Sequence, residues 1–242
     1  MSFQSNAVSR AELEEINRGT LFSGISNNVI LKNCLQKAFQ PIVTMAARTL
    51  SLKTCSLLLI DSAKDEFWIC TSHAASAFYL RKPNIKISEG ISGRVFKEKR
   101  TLEFFDVATE KDYRYKQLAR VEGLKSLLST PVQIGPQVIG VLHGYSGERR
   151  KFSAEEISTF EAVAGQIAMV IENELLREEN AALRFRFKRA ELVDQAKAIL
   201  MEKKGLNEEE AYRLLRKTSM ENQQPLAEIA RNIIDGHTLT AS

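Results

Sequence analysis

Thiols and imidazoles are few in this sequence of 242 residues: three Cys and three His. Cys34, Cys55 and Cys70 contain no CxxC pair, and an odd number of thiols fits a reducing cytoplasm better than a disulfide framework. Cys70 and His73 make half of a tetrahedral zinc pattern whose second half is missing, so no metal is assigned. His73 and His143 are the candidates for an axial haem ligand, although a lone His in a strand such as His143 is ordinarily structural. A Cys–His pair performs nucleophilic catalysis only where the two groups meet, and no spacing here brings them together. Cationic chemistry is better represented. Arg184-Phe185-Arg186-Phe187-Lys188-Arg189 is a basic and aromatic run, and Lys197, Arg213, Arg216 and Lys217 lie off the apolar stripes of the helices that carry them. Such cations suit phosphate contacts. From 190 to 236 there are seven Lys and Arg against nine Asp and Glu, so binding there rests on local placement, and the net charge of +4 permits a nucleic-acid partner without requiring one.

The elements that must position these groups are legible from period and punctuation. A single helix is expected from Phe152 to Gly205, with Ser153 as N-cap, Glu156 closing a capping box, and Lys203 and Lys204 before a terminating Gly205. Within it Met169, Asn173, Leu176, Asn180, Leu183, Phe187 and Ala190 alternate at spacings of four and three, a short heptad seam with Asn at successive a positions. The seam predicts a parallel homodimer. Upstream, Asn27 to Leu50 has helical spacing, with Pro41 expected to kink or interrupt it. Thr54 to Ile60 and Glu66 to Thr71 read as a hairpin, Gly90 to Phe96 as a short helix entered through glycines, and Thr101 to Val107 as a strand. Asp112 to Glu122 reads as a helix, and Ser126 to Ile134 with Val138 to Tyr145 as a hairpin across Gly135-Pro136. Hairpin strands with helices before and after them indicate an α+β fold. The polar start has no apolar core of a secretory signal, and the longest apolar run is far too short to span a membrane.

The series "CSLLLID", "GISGRVFKEKR", "FFDVATEKDYR", "SLLSTPVQIGPQVIGVLHGYS" and "FSAEEISTFEAVAGQIAMVIEN" resembles a GAF domain over about 25 to 175. That resemblance implies an antiparallel sheet of five or six strands flanked by helices, with a small-molecule pocket beneath the aperiodic stretch from His73 to Glu89 and the Asp112 helix. Trp68, Cys70, Phe78, Phe105 and Tyr113 are the candidate pocket residues. The Asn-Lys…Phe-Asp-Glu signature of cyclic-nucleotide GAF domains is missing, which disfavours that ligand class, and no cofactor is assigned.

The C-terminal segment has the pattern of three short amphipathic helices. Leu192, Ala196, Ile199 and Leu200 share a face; Asn207 caps the next helix, which presents Ala211, Leu214, Leu215 and Thr218; and Pro225 opens the last, with Leu226, Ile229, Ala230, Ile233 and Ile234 on one side. "VDQAKAILMEKKGLNEEEAYRLLRKTSMENQQPLAEIARNII" resembles an ANTAR domain over its whole length. The resemblance implies RNA binding: proteins of that family hold paired hairpins in nascent leader transcripts so that a terminator does not form. The residues assigned to RNA are Arg189, Ala196, Lys197, Tyr212, Arg213, Arg216, Lys217 and Gln223. Asn222-Gln223-Gln224 stands where the family often carries basic residues.

The expected organisation is a polar arm over 1–24, a GAF sensor domain over 25–172, a coiled-coil linker over 173–189, an ANTAR domain over 190–236 and a tail over 237–242. The expected function is a cytoplasmic, dimeric antitermination regulator without enzymatic activity, in which a small-molecule effector controls RNA binding. Two alternatives stay open at this point: a DNA-binding regulator, and a GAF-fold redox enzyme such as a free methionine sulfoxide reductase.

Overall fold

The computed structural model describes residues 29–236; the expected polar arm and the tail lie outside them. The chain divides into two compact units between Asn173 and Glu174, and each is described by itself.

In the first unit, α1 (Val29–Thr49) is followed by the hairpin β1 (Thr54–Asp61) and β2 (Glu66–His73). Pro41 lies inside α1 and does not interrupt it; the ring costs one backbone hydrogen bond. The aperiodic stretch contains a single helical turn, α2 (Ala77–Leu80), and a two-residue strand, β3 (Ile85–Lys86). Then come α3 (Gly90–Glu98), β4 (Leu102–Phe104), α4 (Lys116–Glu122), β5 (Leu127–Ile134) and β6 (Gln137–Tyr145). The six strands form one sheet in the order β3-β2-β1-β6-β5-β4, with every pair antiparallel. The fold is α+β, as the run of hairpins implies.

Two elements are shorter than their patterns predict. The strand expected over 101–107 pairs only from Leu102 to Phe104. Asp106 ends it by accepting from the backbone N–H of Ala108 at 3.0 Å and from Arg149 at 2.6 Å, a side-chain turn that competes with the ladder. The helix expected from Asp112 starts only at Lys116, after turns that leave Tyr113 buried in the core.

The sheet has two unlike faces. On one, α1 packs across β1 and β2, and Phe160 lies so close to Gly144 that a Cβ there would come within 2.9 Å of its ring. On the other, Leu58, Phe67, Val95, Leu127, Val141 and Tyr145 share a core with Tyr79, Tyr113 and Leu118 from the connecting segments. The segment before α3 can fold back closely on that helix because Gly93 has no Cβ, which would sit 2.7 Å from the carbonyl carbon of Ser88.

The helix α5 (Ala154–Lys204) runs through the division between the units. Its N-terminus is the expected capping box: Glu156 N–H donates to Ser153 Oγ at 3.1 Å and Ser153 N–H donates to Glu156 Oε2 at 2.8 Å. Arg150 adds a bidentate pair to the same carboxylate at 2.7 and 2.9 Å.

The second unit continues with α6 (Glu208–Glu221) and α7 (Leu226–Ile234). Asn207 and Glu210 form a reciprocal capping box at the start of α6. Gly205 turns the chain with a φ of 66°. Val193, Ala196 and Leu200 of α5 meet Ala211 and Leu215 of α6 and Ile229, Ala230 and Ile233 of α7 in one core. The stripes read from the sequence therefore converge as expected, with Leu192, Ile199, Leu206, Leu214, Leu226 and Ile234 at its margin.

Candidate functional site

Cross-strand register places four polar residues in a line through the middle of the sheet. Ser56 pairs with Ser72 on one side and with His143 on the other, and His143 pairs in turn with Ser129. Residues directly opposite each other point to the same face, so the line Ser72–Ser56–His143–Ser129 crosses β2, β1, β6 and β5 on the side that holds Tyr79, Tyr113 and Tyr145. Ser56, Ser129 and His143 are buried. Ser56 and Ser72 share a hydrogen bond of 2.7 Å, and Ser56 donates to the hydroxyl of Tyr79 at 3.2 Å. The Nε2 of His143 is 2.9 Å from Ser92 Oγ. Two atoms of the line, Ser129 Oγ and His143 Nδ1, have no hydrogen-bond partner among the described residues. Buried polar atoms are nearly always satisfied, so these two are poised to take one.

Aromatic rings close the arrangement. Tyr145 lies edge-on to Tyr79 at 6.3 Å and to Tyr113 at 6.4 Å, and 6.1 Å from the His143 ring. The Tyr113 hydroxyl is 3.5 Å from that of Tyr145. Burial raises the pKa of both phenols, so their hydroxyls stay protonated. Burial, with a smaller effect of Lys82, lowers His143 to about 3, so its ring is neutral near neutral pH. The line therefore sets neutral donors and acceptors against aromatic rings in the buried core. The Lys82 ammonium sits 4.1 Å from the centre of the Tyr79 ring.

The five residues expected to line a pocket are not brought together. Tyr113 belongs to the aromatic face. Trp68 pairs with Leu59 and so alternates onto the opposite face from Phe67 and Ile69, which pack with Tyr113. Cys70 is buried at the bulge where β2 slips register, outside the aromatic core. Phe105 is 52 % exposed, because Asp106 turns the chain away from the sheet just after it. The side chain of Phe78 lies outside the described ones. Ser56, Tyr79, Ser129 and Tyr145 carry no signal in the sequence, and His143 is weighed there only as a haem ligand or a structural strand residue, since register between distant strands leaves no mark on local pattern.

Burial pushes the thiols of Cys55 and Cys70 up to about 12, which leaves them protonated and weakly nucleophilic. Among the described residues no group of three His, Cys, Asp or Glu is placed to hold a metal ion, and no helix is long and apolar enough to cross a membrane.

The residues assigned to RNA fall into three classes. Ala196 has no exposed surface and serves helix packing, so it cannot be a contact; a methyl group at that position lets three helices approach. Lys197 bridges Asp194 at 2.8 Å and Glu208 at 2.7 Å with its side chain only 16 % exposed. These two carboxylates raise its pKa. Arg213 is paired with Glu209 and Lys217 with Glu221. Arg189 and Arg216 make no ion pair with any described residue, Tyr212 is 44 % exposed, and Gln223 stands exposed with a φ of 53° on the turn before α7. Lys197→Ala is thus expected to lower the melting temperature of the second unit by the equivalent of less than about 1 kcal/mol, the usual worth of accessible ion pairs. Arg216→Ala is expected to leave it unchanged; a scanning calorimetry trace of each variant checks both.

A GAF domain family model matches residues 35–172, and an ANTAR domain model matches 181–234. Among curated proteins none matches the chain. Similar solved structures include the GAF domain of a phosphoenolpyruvate-protein phosphotransferase from Coxiella burnetii, at 20% identity over 72% of this chain and 99% of that one, with a TM-score of 0.55. A GAF domain/HD domain protein from Geobacter sulfurreducens is 14% identical over 64% of this chain and 98% of that one, with a TM-score of 0.52. The PixJ GAF domain of Thermosynechococcus elongatus is 18% identical over 73% of this chain and 96% of that one, with a TM-score of 0.50. At such identities the likeness establishes the fold. The chain belongs to the GAF domain family and carries an ANTAR domain behind its GAF domain, the architecture of a GAF–ANTAR regulator.

Proposed function

We propose that this protein is a signal-responsive transcription antitermination regulator: a small molecule held by the GAF domain controls binding of a dimeric ANTAR domain to paired RNA hairpins in nascent leader transcripts. The observation that carries the reading is that one helix, Ala154–Lys204, takes part in both matched domains. A pocket event can reach the RNA-binding unit by shifting or re-pairing that helix, and only as far as the ligand distinguishes the two states. The domain limits that follow are 25–172 for the sensor, 173–189 for the coiled-coil linker and 190–236 for the RNA-binding domain.

The ligand site is the line Ser72–Ser56–His143–Ser129 beneath the tyrosines. Its groups are uncharged, so the ligand is a small neutral molecule that hydrogen-bonds to Ser129 Oγ and His143 Nδ1. Dimerisation is supported by the exposure of Met169, Leu176, Leu183 and Phe187 along one stripe of α5, since a helix rarely leaves such a row uncovered.

The test is a gel shift of the full-length protein with RNA hairpins carrying randomised loops, against duplex DNA of the same stem sequence. Retention of the hairpins at protein concentrations that leave the duplex free is the expected result. Equal or preferential retention of the duplex would make the protein a DNA-binding regulator instead.

A further inference from the structure

Within the second unit, the start of α7 and the segment of α5 around Phe185 enclose a groove of about 280 Å³. Phe185, Leu192 and Pro225 supply its apolar surface. Three cations, Lys188, Arg189 and Arg231, stand around it, and none forms an ion pair with a described residue. This contrasts with Lys197, Arg213 and Lys217, whose charge is already met by Asp194, Glu208, Glu209 and Glu221. One carboxylate, Glu228, also lines the groove. Phe185 is 71 % exposed, so its ring is open to a ligand in the groove.

We propose that this groove receives a single unpaired nucleobase of the RNA: Phe185 stacks on the base, Glu228 accepts from its exocyclic amine, and Lys188, Arg189 and Arg231 hold the flanking phosphates. The inference rests on the RNA-binding reading and locates its contact. The volume lies just below the range of about 300–1,000 Å³ typical of small-molecule sites, so it suits one base rather than a larger ligand. Stacking on an exposed aromatic ring with cations around it is the chemistry by which proteins hold splayed-out loop bases. A carboxylate at such a site repels phosphate and accepts from amino groups, as it does from the cytosine amine in duplex readout. Glu228 therefore selects adenine, cytosine or guanine, which carry an exocyclic amine, over uracil, which does not. In the heptad frame with Asn173 and Asn180 at a, Phe185 and Leu192 take f, Lys188 takes b and Arg189 takes c, so the groove looks away from the seam and stays open on both copies of a dimer.

The experiment measures anisotropy of fluorescein-labelled hairpins that share one stem and carry loops of A only, C only or U only, with full-length protein. The wild type is expected to bind A and C loops more tightly than U loops. Phe185→Ala weakens all three by between about fivefold and a hundredfold. Glu228→Gln removes the preference, weakening A and C loops while U loops bind as well as before or better. Arg231→Ala weakens all loops alike and reduces the salt slope by about one phosphate contact. Lys64→Ala, which removes an exposed cation of the first unit, changes none of these. Wild-type binding of hairpins that Phe185→Ala and Arg231→Ala leave untouched would overturn the groove while sparing the RNA-binding reading. Failure of the wild type to bind any hairpin would overturn both. A change of oligomeric state in Phe185→Ala would reassign the groove to a contact between protein chains.

Discussion

Replacing Leu176 and Leu183 together by Lys is expected to turn a dimer into a folded monomer, read by sedimentation at micromolar concentration. Leu176 is 50 % and Leu183 54 % exposed on the single chain. Both occupy d positions of the seam that begins at Met169, with Asn173 and Asn180 at a. In a parallel pair, four leucines would leave water, each worth about 1.5–3 kcal/mol. Losing them weakens association by at least about 6 kcal/mol, or roughly four orders of magnitude in Kd, before the cost of crowding four ammonium groups. The same positions contribute little to either folded unit, so the melting temperature of the first unit is expected to hold. RNA affinity should fall with the dimer, because paired hairpins then meet one binding unit instead of two. A double variant that sediments as the wild type does would move the interface off this helix and remove the main support for linker-mediated control.

The second large effect is acid sensitivity arising from His143. Burial, with a smaller contribution from Lys82, holds its pKa at about 3, against an ordinary value of 6.5 that it regains when the chain unfolds. Above pH 6.5 the ring is neutral in both states and the native state keeps its full stability. As pH falls below that value, the unfolded chain binds a proton that the folded protein refuses, so stability declines down to the folded pKa. The slope is about 1.4 kcal/mol per pH unit for one group, which removes about 2–3 kcal/mol by roughly pH 4.5. His143→Gln takes away the titrating ring and is expected to flatten the urea midpoint between pH 6.5 and 4.5, though it starts lower because Ser92 loses its partner. Identical pH slopes in the two proteins would show that the ring does not stay neutral in the native state. Occupancy of the site by a ligand that donates to Nδ1 should carry the wild-type dependence to lower pH without steepening it, since the folded ring is already neutral between pH 6.5 and 4.5.

Much of the architecture was legible from local pattern. The capping boxes at Ser153–Glu156 and Asn207–Glu210 lie within one turn of helix, and the apolar stripes that meet in the three-helix core repeat at helical spacing. The hairpins Thr54–His73 and Leu127–Tyr145 follow from apolar runs separated by short polar turns. Each of these signals is carried by residues a few positions apart, where geometry follows from the backbone period alone.

Tertiary structure decided the rest. Trp68 and Tyr113 looked like partners in one pocket, yet the parity of a strand sets them on opposite sides of the sheet. Lys197 looked like a free cation until packing brought Glu208 to it. The line from Ser72 through His143 to Ser129 exists only because β1 and β6, far apart in the chain, lie side by side in a particular register. The sequence by itself determined most of the helices and strands, because those depend on short-range periodicity, and its motifs carried the resemblance to the family. Which side chains face one another, and which charges are left without a partner, is set by register and packing between distant segments. A slip of one residue there reverses every face while leaving the local pattern unchanged.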